Sequence, residues 1–67
     1  MRTEQDVLKD FEKLGWEVIK NDKHWLKIEN MYHEIYIYKK SKEYCCDWIS
    51  KDEHKLLNEL FQIWGWF

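Results

Sequence analysis

The sequence predicts an α+β domain in which two helices pack on one face of a four-stranded antiparallel sheet, in the order αββββα. Two capping-box patterns, one near each end of the chain, are followed by apolar residues at helical spacing. Between them, runs of alternating apolar and polar residues are separated by short polar turns. Because such short connections join only antiparallel neighbours, the strands are expected to form a meander.

The first helix is predicted over about residues 4 to 14. Thr3 and Asp6 form its capping box, and Gly15 stands where a glycine commonly ends a helix. Its apolar stripe consists of Val7, Leu8, Phe11 and Leu14. This stripe is wide enough to cover part of one sheet face.

The second helix is predicted to begin after Ser50, which forms a capping box with Glu53, and to end at Gly65. Its apolar face consists of Leu56, Leu57, Leu60, Phe61 and Trp64. Trp66 and Phe67 follow as a short aromatic tail. Both helices therefore carry one apolar face, and both are expected to pack on the same side of the sheet.

Four strands are predicted over residues 16–20, 24–29, 33–39 and 43–49. Turns of three, two and two residues would place apolar residues opposite one another, namely Val18 with Leu26, Trp16 with Ile28, Leu26 with Ile35, Ile37 with Cys46 and Ile35 with Trp48. The same register places Glu17 and Glu34 opposite Lys27. The face toward the helices then carries Trp16, Val18, Leu26, Ile28, Ile35, Ile37, Cys46 and Trp48.

The opposite side of the predicted sheet, which we call the open face, has no helix left to cover it. Alternation places on it, among others, Ile19, Trp25, Lys27, Glu34, Tyr36, Tyr38 and Asp47. Large exposed apolar patches usually mark interaction sites, and Trp and Tyr are enriched among binding hot spots. The alternative is a solvated face with aromatic rings lying flat among Lys and Glu side chains. We interpret these residues as a protein-binding surface, for a partner protein or for a second copy of the chain.

Lysines concentrate where the first and third turns of a meander meet, at one end of the sheet. This lysine end consists of Lys20, Lys23, Lys39, Lys40 and Lys42, together with His24. Such a cluster can hold phosphates, so binding of nucleic acid through these lysines is the alternative function. Lysines also suit exposed turns for solvation alone, and Asp22 and Glu43 dilute the local positive charge.

No constellation for catalysis, cofactor binding or metal binding is recognisable in the sequence. Cys45 is expected to be exposed with no base fixed beside it, and Cys46 is expected to face the core as an inert thiol. The register does not bring His24 and His33 together, whereas structural zinc needs four convergent ligands. We therefore predict a non-enzymatic protein with no catalytic residues, no cofactor and no metal.

Length, net charge and apolar content limit the number of domains, the kinds of partner and the cellular location. Residues 1–67 are expected to form a single domain, with a net charge of −2 that gives no chain-wide attraction to nucleic acid or anionic membrane. No apolar run approaches the about 20 residues of a membrane span, and no signal peptide is recognisable. A cytoplasmic location is expected, with the adjacent cysteines reduced.

The run Leu14-Gly15-Trp16, the lysine-rich strands and the C-terminal segment 53–66 carry a resemblance. In these features the chain resembles the small uncharacterised proteins of phages and prophages of low-GC Gram-positive bacteria. The resemblance implies an accessory protein that acts in the host cell cytoplasm by binding a host or phage protein. It implies, more specifically, an inhibitor of host defence, for example of the anti-CRISPR type.

Overall fold

The structure is a computed structural model that describes residues 2–66. Its fold consists of two helices and a four-stranded sheet. The elements are helix α1 (Glu4–Lys13), strands β1 (Glu17–Asn21), β2 (Trp25–Glu29), β3 (Glu34–Tyr38) and β4 (Glu43–Cys46), and helix α2 (Lys51–Ile63). All neighbouring strands pair antiparallel, in the order β1-β2-β3-β4. The predicted α+β class and meander are confirmed. Of the predicted aromatic tail, Phe67 lies outside the described residues.

Both helices begin at the predicted capping boxes. The hydroxyl groups of Thr3 and Ser50 accept hydrogen bonds from the backbone N–H groups of Asp6 and Glu53, each at 3.3 Å. The two carboxylates in turn accept from the backbone N–H groups of Thr3, at 2.9 Å, and Ser50, at 2.8 Å. Each box pairs N–H donors that the first turn of a helix leaves without partners.

Both helices also end in the same way, over the pattern Phe-x-x-x-Gly-Trp at residues 11–16 and 61–66. Gly15 and Gly65 have φ angles of 95° and 77°, which is the left-handed conformation that glycine adopts at low cost. The N–H of each tryptophan donates to the carbonyl of the phenylalanine five residues earlier, at 3.1 and 2.8 Å. The two rings of each pattern then pack together, with centroids 6.0 and 4.4 Å apart.

The core lies between the helix pair and one face of the sheet. Its buried residues are Val7, Leu8, Phe11, Trp16, Leu26, Ile28, Ile35, Ile37, Ile49, Leu56, Leu57, Leu60 and Phe61. The strand residues in this set alternate along β2 and β3, so one face of the sheet is covered by both helices. Within residues 2–66, every buried side-chain nitrogen or oxygen atom has a hydrogen-bond partner.

The predicted register was wrong by two residues between β2 and β3, between β3 and β4, and, up to Val18, between β1 and β2. The observed partners are Val18 with Ile28, Leu26 with Ile37, Ile28 with Ile35, Ile35 with Cys46, and Ile37 with Tyr44. Residues 30–33 and 39–42 form four-residue turns, whereas the prediction used two-residue turns. Because side chains alternate with a period of two, a shift of two residues leaves each of these residues on its predicted face.

Trp48 was wrongly predicted to face the core, and Trp16 to pair with Ile28. Strand β4 ends at Cys46, and Trp48 is 78% exposed. The next residue, Ile49, is buried in its place, just before the capping box of α2. Trp16 is buried, but it precedes β1 and has no strand partner. Strand alternation thus stops where the chain turns into the second helix.

Candidate protein-binding surface

Trp25, Tyr36 and Tyr38, which we call the aromatic cluster, lie side by side on the open face. Trp25 is the direct cross-strand partner of Tyr38, and their rings stack with centroids 5.7 Å apart and planes 7° apart. The Trp25 ring also stacks on Tyr36, at 6.1 Å and 17°. Trp25 and Tyr36 are half-buried, and Tyr38 is 46% exposed. The open face thus presents three nearly parallel rings.

Lys27 lies beside the aromatic cluster on the middle of β2. Its Nζ is 5.0 Å from the centroid of the Tyr36 ring, 3.9 Å from a Glu29 carboxylate oxygen and 4.0 Å from a Glu34 carboxylate oxygen. Hydrogen bonding with Tyr36 raises the pKa of Lys27, and the charges of Glu34 and Glu29 add to this rise. The predicted facing pairs were wrong, because Lys27 faces Tyr36 and Glu17 faces Glu29.

The other predicted open-face residues lie at the margins of the sheet. Ile19 is 45% exposed and has no partner on β2, because the register shifts between Val18 and Lys20. Asp47 follows β4, is exposed, and places a carboxylate oxygen 3.8 Å from Nδ1 of His33. Neither residue contacts the aromatic cluster through a ring or ion pair that the described structure shows, so they flank it.

Lys39, predicted as a phosphate contact, lies between the turn that follows β1 and helix α1. Its Nζ donates to Oδ1 of Asn21 and to the carbonyl of Asp22, both at 2.8 Å, and lies 3.5 Å from Oε1 of Glu4. It also lies 5.1 Å from the centroid of the Trp64 ring. With a side chain only 16% exposed, Lys39 has little capacity left for an external anion.

The remaining lysines of the lysine end divide into two kinds. Lys20 places its Nζ 4.4 Å from the centroid of the Trp25 ring and 3.7 Å from a carboxylate oxygen of Asp22. The positive charge of Lys20 therefore interacts partly with a ring of the aromatic cluster. Lys23, Lys40 and Lys42 are exposed turn residues. The lysine end consequently has fewer lysines without a neighbouring partner group than its sequence indicates.

Glu4 is the acidic centre of the contacts around Lys39. Its Oε1 accepts a hydrogen bond from Nε1 of Trp64 at 2.7 Å, and its Oε2 accepts from Nδ2 of Asn21 at 3.2 Å. Burial alone would raise the pKa of Glu4. The hydrogen bonds from Asn21 and Trp64 and the charge of Lys39 together outweigh burial and lower this pKa below its usual 4.5.

Replacement of Glu4 by Gln is expected to make the free energy of unfolding less dependent on pH in the acidic range. A carboxylate whose pKa is lower in the folded than in the unfolded state stabilises the fold above the unfolded pKa. That contribution is lost as the pH falls from about 4.5 through the lower folded value. Urea denaturation at pH 7 and at a series of acidic pH values measures the change. Glu12→Gln, at an exposed position of the same helix, is the control. Equal pH slopes for the two variants would contradict this assignment.

A second exposed group, Met31, Tyr32 and Trp48, was missed by the sequence reasoning, and we call it the distal patch. These side chains are 85%, 80% and 78% exposed. The turn 30–33 and the segment after β4 lie at the same end of the sheet, where the His33–Asp47 contact of 3.8 Å links them. The apolar residue directly before a capping box often packs inward, which could have identified the neighbour of Trp48 as the buried one.

Within residues 2–66, no group of three or more His, Cys, Asp and Glu side chains is placed to hold a metal ion. Cys45 is an exposed free thiol, and burial raises the pKa of the Cys46 thiol. Neither described helix is both long and apolar enough to cross a membrane.

Comparisons with protein-family models, with curated proteins and with solved structures give no match to this chain. The open face combines stacked aromatic rings with charges of both signs.

Proposed function

We propose that this chain is a non-enzymatic protein-binding module whose open face contacts the partner. The observation that carries the proposal is the aromatic cluster, three stacked rings on a sheet face that neither helix covers. Trp and Tyr supply large contact areas and are enriched among binding hot spots. Because the rings already pack against each other, they lose less side-chain entropy on binding than free rings would.

The charged side chains beside the aromatic cluster would fix the orientation of the partner. Lys20 and Lys27 lie over the rings of Trp25 and Tyr36, and Glu29 and Glu34 lie near Lys27. Charged groups around an apolar centre set register and exclude wrong partners more than they add affinity. A partner with an apolar centre and a margin of both signs fits this arrangement.

A protein partner is better supported than nucleic acid. Lys39 is engaged with Asn21 and Asp22, and Lys20 is engaged with Asp22 and Trp25. Phosphate binding draws its affinity from cations that are free to replace counterions. Action as a phage or prophage accessory protein on a host protein, including inhibition of defence, stays a prediction from the sequence resemblance.

The double substitution Trp25→Ala with Tyr36→Ala is expected to abolish partner binding and leave the fold intact. Truncation of a hot spot costs about 2 kcal/mol or more, which corresponds to about thirtyfold in Kd. The original and substituted chains would be used as baits in native host cells, with bound proteins quantified by mass spectrometry. Affinity for the captured protein would then be measured with purified components, beside circular dichroism of the variant.

The matched control is Met31→Ala with Tyr32→Ala, which removes two exposed apolar side chains from the distal patch. This control is expected to bind normally. Unfolding of the open-face variant would show that the face is part of the core. Normal binding by the open-face variant together with loss in the control would assign binding to the distal patch and overturn the proposal.

A further inference from the structure

Trp25 and Tyr38, two members of the aromatic cluster, form the terminal pair of the β2–β3 ladder. Trp25 is the first residue of β2, and Tyr38 is the last residue of β3. Residues at the ends of an element open more readily than those in its middle. The stacking of these two rings therefore depends on what holds the chain just beyond the pair.

The backbone groups of Trp25 do not bond to Tyr38. The N–H of Trp25 donates to Oδ1 of Asp22 at 2.9 Å, and its carbonyl accepts from the N–H of Asp22 at 3.0 Å. The nearest bond between β2 and β3 on the turn side runs from the N–H of Lys39 to the carbonyl of His24, at 2.8 Å. Trp25 and Tyr38 thus face each other without mutual backbone bonds, the arrangement that brings cross-strand side chains closest together.

Asp22 fixes Trp25 in a second way, through a cation. Its Oδ2 lies 3.7 Å from Nζ of Lys20, and this Nζ lies 4.4 Å from the centroid of the Trp25 ring. Its Oδ1 also accepts from the N–H of His24 at 2.8 Å, so the turn between β1 and β2 closes around this carboxylate. The position of Asp22 therefore sets both the backbone of Trp25 and the cation beside its ring.

The side chain of Lys39 fixes Asp22 from the helix side of the sheet. Its Nζ donates to the carbonyl of Asp22 and to Oδ1 of Asn21, both at 2.8 Å. The same Nζ lies 3.5 Å from Oε1 of Glu4 in α1 and 5.1 Å from the centroid of the Trp64 ring at the end of α2. One ammonium group thus connects both helices to the turn that follows β1.

We propose that Lys39 is a positioning residue for the aromatic cluster, and this inference rests on the proposed function of the open face. Lys39 holds Asp22, and Asp22 holds Trp25 where its ring stacks on Tyr38. Side chains of a binding site need such support from residues behind them, which lock their conformation before the partner arrives. The helix side of the sheet thereby controls the order of the rings on the open face.

Loss of the ammonium group is expected to loosen the end of the sheet. A hydrogen bond from a charged group changes a local equilibrium by about tenfold or more. The apparent Kd rises by the factor by which the population of the binding arrangement falls. Lys39→Met keeps the length of the side chain without its charge, and it is expected to raise the Kd for the partner protein about tenfold.

NMR spectroscopy tests the positioning without a partner. The resonances of the Tyr38 ring protons report the stacking of this ring on Trp25 through the ring current. In Lys39→Met they are expected to move toward their values in a Trp25→Ala variant. The methyl resonances of Ile28 and Ile35, a buried pair in the middle of the sheet, are expected to stay in place. A general loss of stability would move both sets.

Lys39→Arg keeps the charge and the N–H donors, and it is expected to restore most of the Tyr38 shift and most of the affinity. The matched control is Lys40→Met, at the next and exposed position, which is expected to leave both unchanged. Unchanged Tyr38 resonances in Lys39→Met, or an equal change in Lys40→Met, would overturn the positioning role.

Asn21→Ala keeps the inference testable if Lys39→Met does not fold. Asn21 is exposed, and its truncation removes one acceptor of Lys39 while the carbonyl of Asp22 remains. It is expected to move the Tyr38 resonances in the same direction by a smaller amount. No movement in a folded Asn21→Ala variant would count against the positioning role.

Partner binding distinguishes this inference from the proposed function. Lys39→Met could loosen Tyr38 and still bind the partner normally, while Trp25→Ala with Tyr36→Ala loses binding. That result would overturn the inference and leave the proposed function standing. Normal binding by the double variant would overturn the proposed function, whereas the Tyr38 resonances would still decide whether Lys39 positions the rings.

Discussion

Leu60→Ala is expected to lower the free energy of unfolding by about 2–5 kcal/mol. Leu60 is fully buried where α2 faces the sheet, so its truncation removes apolar contacts and leaves a cavity. A domain of this length has a total stability of only about 3–10 kcal/mol, so much of the variant would be unfolded. Urea denaturation followed by circular dichroism measures the loss.

The control for Leu60→Ala is Asn58→Ala, at an exposed position of the same helix. It is expected to change the free energy of unfolding by less than about 0.5 kcal/mol. A loss below about 1 kcal/mol for Leu60→Ala would mean that α2 does not dock on the sheet through this residue.

Phe11→Ala is expected to be at least as damaging, with a loss of about 3–5 kcal/mol. Phe11 is fully buried, and its ring packs edge-on against Trp16 with centroids 6.0 Å apart. The truncation therefore empties the centre of the core and removes the support of the tryptophan that follows α1. Chemical denaturation gives the loss, and the near-ultraviolet circular dichroism of the tryptophans reports the loosened ring.

Glu12→Ala, one residue later and exposed, is the matched control for Phe11→Ala. It retains the capping contacts and is expected to have nearly the original stability. If Phe11→Ala lowered the free energy of unfolding no more than Glu12→Ala does, the Phe11–Trp16 contact would not stabilise the core as the structure indicates.

The helices and the two sheet faces were predictable from sequence because their signals are local. The capping boxes at Thr3 and Ser50 require only neighbouring residues, and both are present. Strand alternation assigned Leu26 and Ile37 to the helix side although their predicted partners were wrong. Faces depend on whether a residue is odd or even along the strand, and a register error of two residues preserves that parity.

The register between the strands and the contacts of Lys39 were not predictable from such local signals. Turn length decides the register, and the polar residues of 39–42 fit a four-residue turn as well as a two-residue one. The contacts of Lys39 with Asn21 and Glu4 join three elements distant in sequence. Alternation could group Trp25, Tyr36 and Tyr38 on one face, but the stacking geometry of their rings depends on the register.

The meander has a consequence for the order in which the chain can fold. Each strand contacts the next strand in sequence, and α1 contacts β1, so most of the fold closes only short loops. The packing of α1 against α2 is different, because it joins residues as far apart as Glu4 and Trp64. The entropy lost on closing a loop rises with its length, which favours early hairpins and late docking of α2. Until that docking occurs, the apolar side of the sheet would be covered by α1 alone, and this is the interval in which the chain is most exposed to aggregation.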